Sequence, residues 1–68
     1  MLHDVSLEQE TDGRWIAAVD AIPGALAYGS TSDEAIARVE ALVLRVIADR
    51  LEHGELAGLN LSVAFKAA

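Results

Sequence analysis

The run from Asp12 to Ile36 constrains this chain more than any other part of it, because its turn and cap residues write hairpin, corner, strand and helix in that order. Asp12-Gly13 is a hairpin signal. Pro23-Gly24 marks a corner, and Thr31-x-x-Glu34 is a capping box at the head of a long apolar-periodic segment. Ahead of the hairpin, a first strand is expected from Leu2 to Glu10, with Val5 and Leu7 on one face and Ser6, Glu8 and Glu10 on the other. The second is expected from Arg14 to Asp20. A two-residue Asp12-Gly13 loop would put Trp15, Ala17 and Val19 on the face of Glu8 and Glu10. A three-residue loop from Thr11 to Gly13, with Gly13 left-handed in a bulge, instead pairs Glu10 with Arg14 and aligns Val5 and Leu7 with Trp15, Ala17 and Val19. The second arrangement is preferred, since it gives one apolar face and an opposite-charge cross-strand pair.

Beyond the corner, Ala25 to Tyr28 read as a short third strand ending at Gly29. The helix begins at once: Thr31 is placed to accept from the amide of Glu34, Glu34 to reach back to the Thr31 backbone N–H, and Asp33 to place a negative charge at the positive end of the helix dipole. Periodicity continues to His53, with Gly54 as the stop. Ile36, Val39, Val43, Val46, Ile47 and Leu51 follow the 3.6 period and are expected to cover the sheet. Ala37, Ala41, Leu44 and Ala48 form a neighbouring stripe, narrow enough for a second helix to approach in self-association, although alanine is also simply a good exposed helix former. Glu34 with Arg38, and Arg45 with Asp49, are spaced as surface ion pairs. Finally, Leu59, Leu61, Val63 and Phe65 alternate with Asn60, Ser62, Ala64 and Lys66 as a last strand. The order β-β-β-α-β predicts one α+β domain over residues 1–68, an antiparallel three-stranded sheet packed on one long helix.

A chain of 68 residues buries only about 60% of its unfolded surface on folding alone. There is no cysteine for a disulfide, and the two histidines, His3 and His53, do not make a structural zinc site. With 53% hydrophobic residues, a homo-oligomer, dimer or tetramer, that buries apolar surface between copies is the expected source of further stability. Eleven acidic against five basic residues give a net charge of -6. That charge repels phosphate backbones and argues against direct nucleic-acid binding, and it suits a basic protein partner. The chain has no apolar run long enough for a membrane span, and Met1-Leu2-His3-Asp4 lacks the basic start of a signal peptide. A cytoplasmic protein without membrane contact is expected.

The sequence points to no catalytic, metal or cofactor site: it has no cysteine nucleophile, no nucleophile elbow, no phosphate loop and no metal-spaced histidine pair. Glu8 and Glu10 share a strand face and in principle could hold a magnesium ion. A solvated sheet surface is the preferred reading of that pair. His53 near the helix C-terminus suits the dipole. Trp15 reads as core, or as an interface anchor, and Tyr28 must find water or a partner for its hydroxyl.

Asp12-Gly13 with the aromatic Trp15, then Pro23-Gly24, then Gly29-x-Thr31-x-x-Glu34-Ala35 together resemble the small domain of HicB-like antitoxins. That family's corner carries a further proline, where this chain has Asp20-Ala21-Ile22. The resemblance implies a partial ribonuclease-H-like fold that has lost ribonuclease catalysis. It also implies a function: binding, and so neutralising, a small basic messenger-RNA interferase of the HicA type. In full antitoxins a C-terminal DNA-binding segment follows. This sequence reaches Ala68 directly after its last predicted strand, so operator binding is not expected of it. Contact with such a toxin would fall on outward sheet positions, with Glu8, Glu10 and Tyr28 as candidates. The alternative is an orphan domain that associates only with itself.

Overall fold

The computed structural model describes residues 1–55 and 61–67. Four strands and one helix follow in the order β1 (Leu2–Gln9), β2 (Trp15–Ala18), β3 (Leu26–Gly29), α1 (Ser32–Glu52) and β4 (Ala64–Ala67). The strands form a single mixed sheet in the order β3-β2-β1-β4.

The β1–β2 hairpin closes through the three-residue loop. Ser6 lies opposite Ala18, Leu7 opposite Ala17 and Gln9 opposite Trp15. Glu10 N–H donates to the Arg14 carbonyl at 2.7 Å, and Gly13 N–H to the Glu10 carbonyl at 3.0 Å. Gly13 has φ 93°, a left-handed conformation that a side chain would strain. That single backbone angle sets the register, and the register turns Val5, Ala17 and Val19, all buried, to the same side. At the corner, Ala25 N–H donates to the Ile22 carbonyl at 3.1 Å. Pro23 and Gly24, the latter at φ 81°, occupy the two central positions of a type II turn. Ile22 and Ala25 flank it and close the end of the core.

Thr31 caps α1, its Oγ1 accepting from the Glu34 N–H at 3.1 Å. Glu34 departs from the expected box. Its carboxylate accepts from the Ser30 backbone N–H at 3.3 Å and from the Ser30 hydroxyl at 3.2 Å, not from Thr31. Ser30 thus gives both its backbone N–H and its hydroxyl to one carboxylate. At the other end His53 is the cap, and its N–H donates to the Asp49 carbonyl at 3.1 Å. The helix buries Ala35, Val39, Val43 and Ile47 against the sheet. Ile36, Val46 and Leu51 are only partly buried. The stripe nearest the sheet therefore runs through Ala35, which apolar periodicity weighted toward large residues passes over. The reason lies in β3. A Cβ placed on Gly29 would sit 2.5 Å from the Ala35 nitrogen, so the first helical turn rests directly on the strand backbone.

Two expectations about the sheet are corrected. It has four strands, not an antiparallel three, and β4 runs parallel to β1, with Leu2 opposite Ala64 and Val5 opposite Ala67. The helix crossover explains the direction. A helix of 21 residues carries the chain about 31 Å back along the sheet, so β4 starts at the end where β3 started and runs the same way. Because β1 and β3 are both antiparallel to β2, β4 meets β1 in parallel. The last strand is also shorter than expected. Leu59 and Asn60 lie outside the described residues, and pairing begins at Ala64, whose N–H donates to the Met1 carbonyl at 2.7 Å. The Ser62 carbonyl accepts from the terminal ammonium of Met1.

Replacing Gly29 by alanine is expected to cost about 2–3 kcal/mol, since backbone atoms cannot yield without lifting the helix. Thr31→Ala is expected to cost about 1 kcal/mol through loss of the cap. Urea unfolding midpoints measure both. An unchanged midpoint for Gly29→Ala would mean that the helix does not rest on β3.

Candidate functional site

Helix α1 covers one face of the sheet. On the other face the residues alternate with the core positions, so the register fixes its composition: Tyr28, Ile16 and Glu8 form one row across β3, β2 and β1, and Leu26, Ala18 and Ser6 form the next. Asp4 faces the same way on β1, opposite Lys66 of β4. The surface is thus divided. Its β2–β3 half is mainly apolar, with Leu26 47% and Tyr28 40% exposed and the Arg14 guanidinium lying over the Tyr28 ring. Its β1 half carries the exposed acids Asp4 and Glu8, with Asp20 beside them just beyond β2, and also Leu2, 67% exposed at the start of the strand. A depression of about 220 Å³ lies at the boundary, lined by Ser6, Glu8, Ile16, Ala18, Asp20 and Leu26 among others. Small-molecule sites usually begin at about 300 Å³. A hollow of this size suits one or two side chains of a macromolecular partner.

Of the three residues expected at a partner surface, Glu8 and Tyr28 share a row, on either side of Ile16. Two strand spacings separate them, about 10 Å. Glu10 sits apart at the hairpin end. The cross-strand ion pair expected between Glu10 and Arg14 does not form. Arg14 pairs instead with Asp12, Nε to Oδ2 at 2.8 Å, and its guanidinium carbon lies 4.8 Å from the centre of the Tyr28 ring. Asp12 wins because it already accepts the Arg14 backbone N–H at 3.0 Å, so its carboxylate is held beside the guanidinium before any side chain is ordered. The Arg14 backbone N–H, followed by the guanidinium, holds the Asp12 carboxyl below the usual carboxylate range.

Glu34 links the helix to the sheet. It pairs with Arg38 at 3.0 Å, and Arg38 Nη1 donates to the Tyr28 carbonyl at 2.9 Å. Glu34 is thus a cap residue that also tethers β3 through Arg38, while Thr31 accepts from the helix itself. Of the helix stripe, Ala37, Leu44 and Ala48 are exposed and Ala41 is half-buried, so the four lie on the side of α1 away from the sheet. Asp49 meets His53, Oδ1 to Nδ1 at 3.4 Å, where Arg45 was the expected partner. His3 lies on the core side of β1, its ring 5.9 Å from that of Phe65. No three His, Cys, Asp or Glu side chains gather into a metal-holding group among the described residues. No described helix is long and apolar enough to cross a membrane.

The apolar half of the open face is the part that sequence reasoning passed over. The bulged register already places Ile16 and Ala18 opposite to Trp15 and Ala17, but the position of Leu26 beside them needs the β2–β3 pairing. No protein-family model, curated protein or solved structure matches this chain.

A carboxylate whose folded pKa is depressed contributes stability above its unfolded pKa and loses it as pH falls through the folded one. Asp12→Asn is therefore expected to be less stable than the native chain at neutral pH, and the gap is expected to narrow below about pH 4. Thermal unfolding at neutral and acid pH checks this. A gap that is constant with pH would assign the effect to turn geometry alone.

Proposed function

We propose that this chain is an interaction protein of the HicB antitoxin type, which binds a small basic ribonuclease of the HicA kind one to one and blocks it with the open face of its sheet. The observation that carries the reading is the division of that face into an apolar half around Ile16 and Leu26 and an acidic half around Glu8, Asp4 and Asp20. Desolvated apolar anchors supply binding energy at an interface. Fixed acidic residues beside them speed the encounter with a basic partner and penalise the wrong one. The net charge of -6 acts in the same direction at longer range.

The likeness to the family is further supported by the element order and by the helix that starts directly after Gly29 and Thr31. On this reading the β-β-β-α-β arrangement is a reduced ribonuclease-H-like fold that keeps the sheet as a binding platform. The inhibitor acts by occupancy, so its own side chains perform no proton transfer. An orphan self-associating domain is the second reading. It is favoured by Leu44, which is 48% exposed on the outer side of the helix.

The test mixes the purified chain with the product of the adjacent reading frame and follows both complex formation and cleavage of RNA. A stoichiometric complex that stops cleavage is expected. Glu8→Arg and Ile16→Lys should each weaken it on the order of tenfold, with Glu8→Arg reducing its salt dependence. A complex indifferent to both changes would move the contact off the open face, and no complex at all would remove the antitoxin reading.

A further inference from the structure

The two edges of the sheet are unlike. The outer strand β4 carries Lys66, a charge of the kind that keeps edge strands from pairing with other chains. The other outer strand, β3, reads Leu26-Ala27-Tyr28-Gly29 and carries neither charge nor proline. Its hydrogen-bonding phase is fixed by the corner. Val19 N–H donates to the Ala25 carbonyl at 3.0 Å, so the inward-bonded positions of β3 are Ala25, Ala27 and Gly29. Leu26 and Tyr28 then present both their N–H and their C=O groups outward. One of these four groups, the Tyr28 carbonyl, accepts from Arg38. A carbonyl oxygen has a second lone pair.

We propose that β3 pairs with β3 of a second copy of this chain, antiparallel about a twofold axis at Ala27, to give a continuous eight-stranded sheet. The occupant follows from the pattern of groups and charges. Two outward-facing residues separated by one form a self-complementary set: with Leu26 opposite the partner copy's Tyr28, and Tyr28 opposite its Leu26, every outward N–H meets a C=O and four interchain hydrogen bonds form. That is the requirement of an isologous contact. Charge selects the same surface. Copies that each carry a net charge of -6 repel wherever acidic residues meet. The acidic half of the sheet lies on β1, two strands or about 10 Å from this edge in each copy, beyond the roughly 8 Å screening length at physiological salt. A basic partner, by contrast, finds no opposite charge on β3 to recognise. The pairing is independent of the toxin-binding reading, because it uses backbone groups of β3 where that reading uses side chains of the open face.

Sedimentation of the whole chain tests the inference, combined with amide exchange at Leu26 and Tyr28. The native chain is expected at twice its 7.2 kDa mass, with both amides protected. Leu26→Pro removes one outward donor and none of the inward bonds to β2, and an edge strand tolerates it. It is expected at the monomer mass, with an unchanged far-ultraviolet spectrum. A synthetic chain with N-methyl-Leu26 removes the same donor while keeping the side chain, and is expected to be monomeric too. Leu44→Glu, on the outer side of the helix, should leave the dimer intact. Edge pairing is overturned by a native mass other than two copies, by a dimer that survives both changes at Leu26, or by a dimer that Leu44→Glu dissociates.

Discussion

The close approach of Ala35 to Gly29 decides how this molecule is built. Helices ordinarily stand off a sheet by the thickness of two side-chain layers. Here the strand contributes no side chain at the contact and the helix contributes a methyl group, so the first turn lies on the backbone of β3. The clamp from Ser30 through Glu34 and Arg38 to the Tyr28 carbonyl holds the same turn from the outside. With its start fixed on β3, the helix runs over β3 and β2 and turns Ala35, Val39, Val43 and Ile47 downward. Everything else about the two faces of the sheet follows from that seating.

One consequence is a thin core. Among the described residues the largest fully buried side chains are four valines, Val5, Val19, Val39 and Val43, each worth about 1.5–3 kcal/mol on burial. Trp15, Leu7, Phe65 and Leu51 pack around them but remain partly exposed. A chain with 53% hydrophobic residues and so few large buried ones must carry apolar area on its surface, and the sheet face opposite the helix takes much of it. The open face is thus a physical result of close helix seating in a short chain, before any partner is considered.

Local backbone signals made half of this architecture legible from sequence. Gly13 can adopt the left-handed angle that closes a three-residue loop, and only that loop sends Val5, Ala17 and Val19 to one side, so the hairpin register followed from one glycine and an alternating pattern. Thr31 and Gly54 marked the helix ends for the same reason: cap chemistry is local. The parallel placement of β4 was not legible, because Leu61, Val63 and Phe65 alternate in the same way beside any neighbour, and the choice of β1 depends on how far the helix carries the chain. Arg14 illustrates a third case. Charge opposition across the strands pointed to Glu10, yet the nearer Asp12 had already been placed by a backbone hydrogen bond. The acidic half of the candidate surface was visible as Glu8, while its apolar half required the pairing of Ile16 with Tyr28 and of Ala18 with Leu26.

The two proposed surfaces bear on each other through the same residues of β3. Leu26 and Tyr28 give their side chains to the open face and their outward N–H and C=O groups to the strand edge, at right angles to it. Pairing of two copies through that edge therefore extends the open face, with Leu26 of each copy packed beside Tyr28 of the other. The apolar halves of the two copies become contiguous across the twofold axis, and the acidic halves are carried to the outer flanks beside β4. Such a dimer presents two partner sites on one rigid sheet. Where a partner is itself dimeric or presents repeated contacts, the second contact forms at an effective concentration set by this fixed spacing and needs no new interaction. A marginal core would then be reinforced by its own oligomer while the binding platform stays open, which joins the stability of a short chain to its capacity to bind.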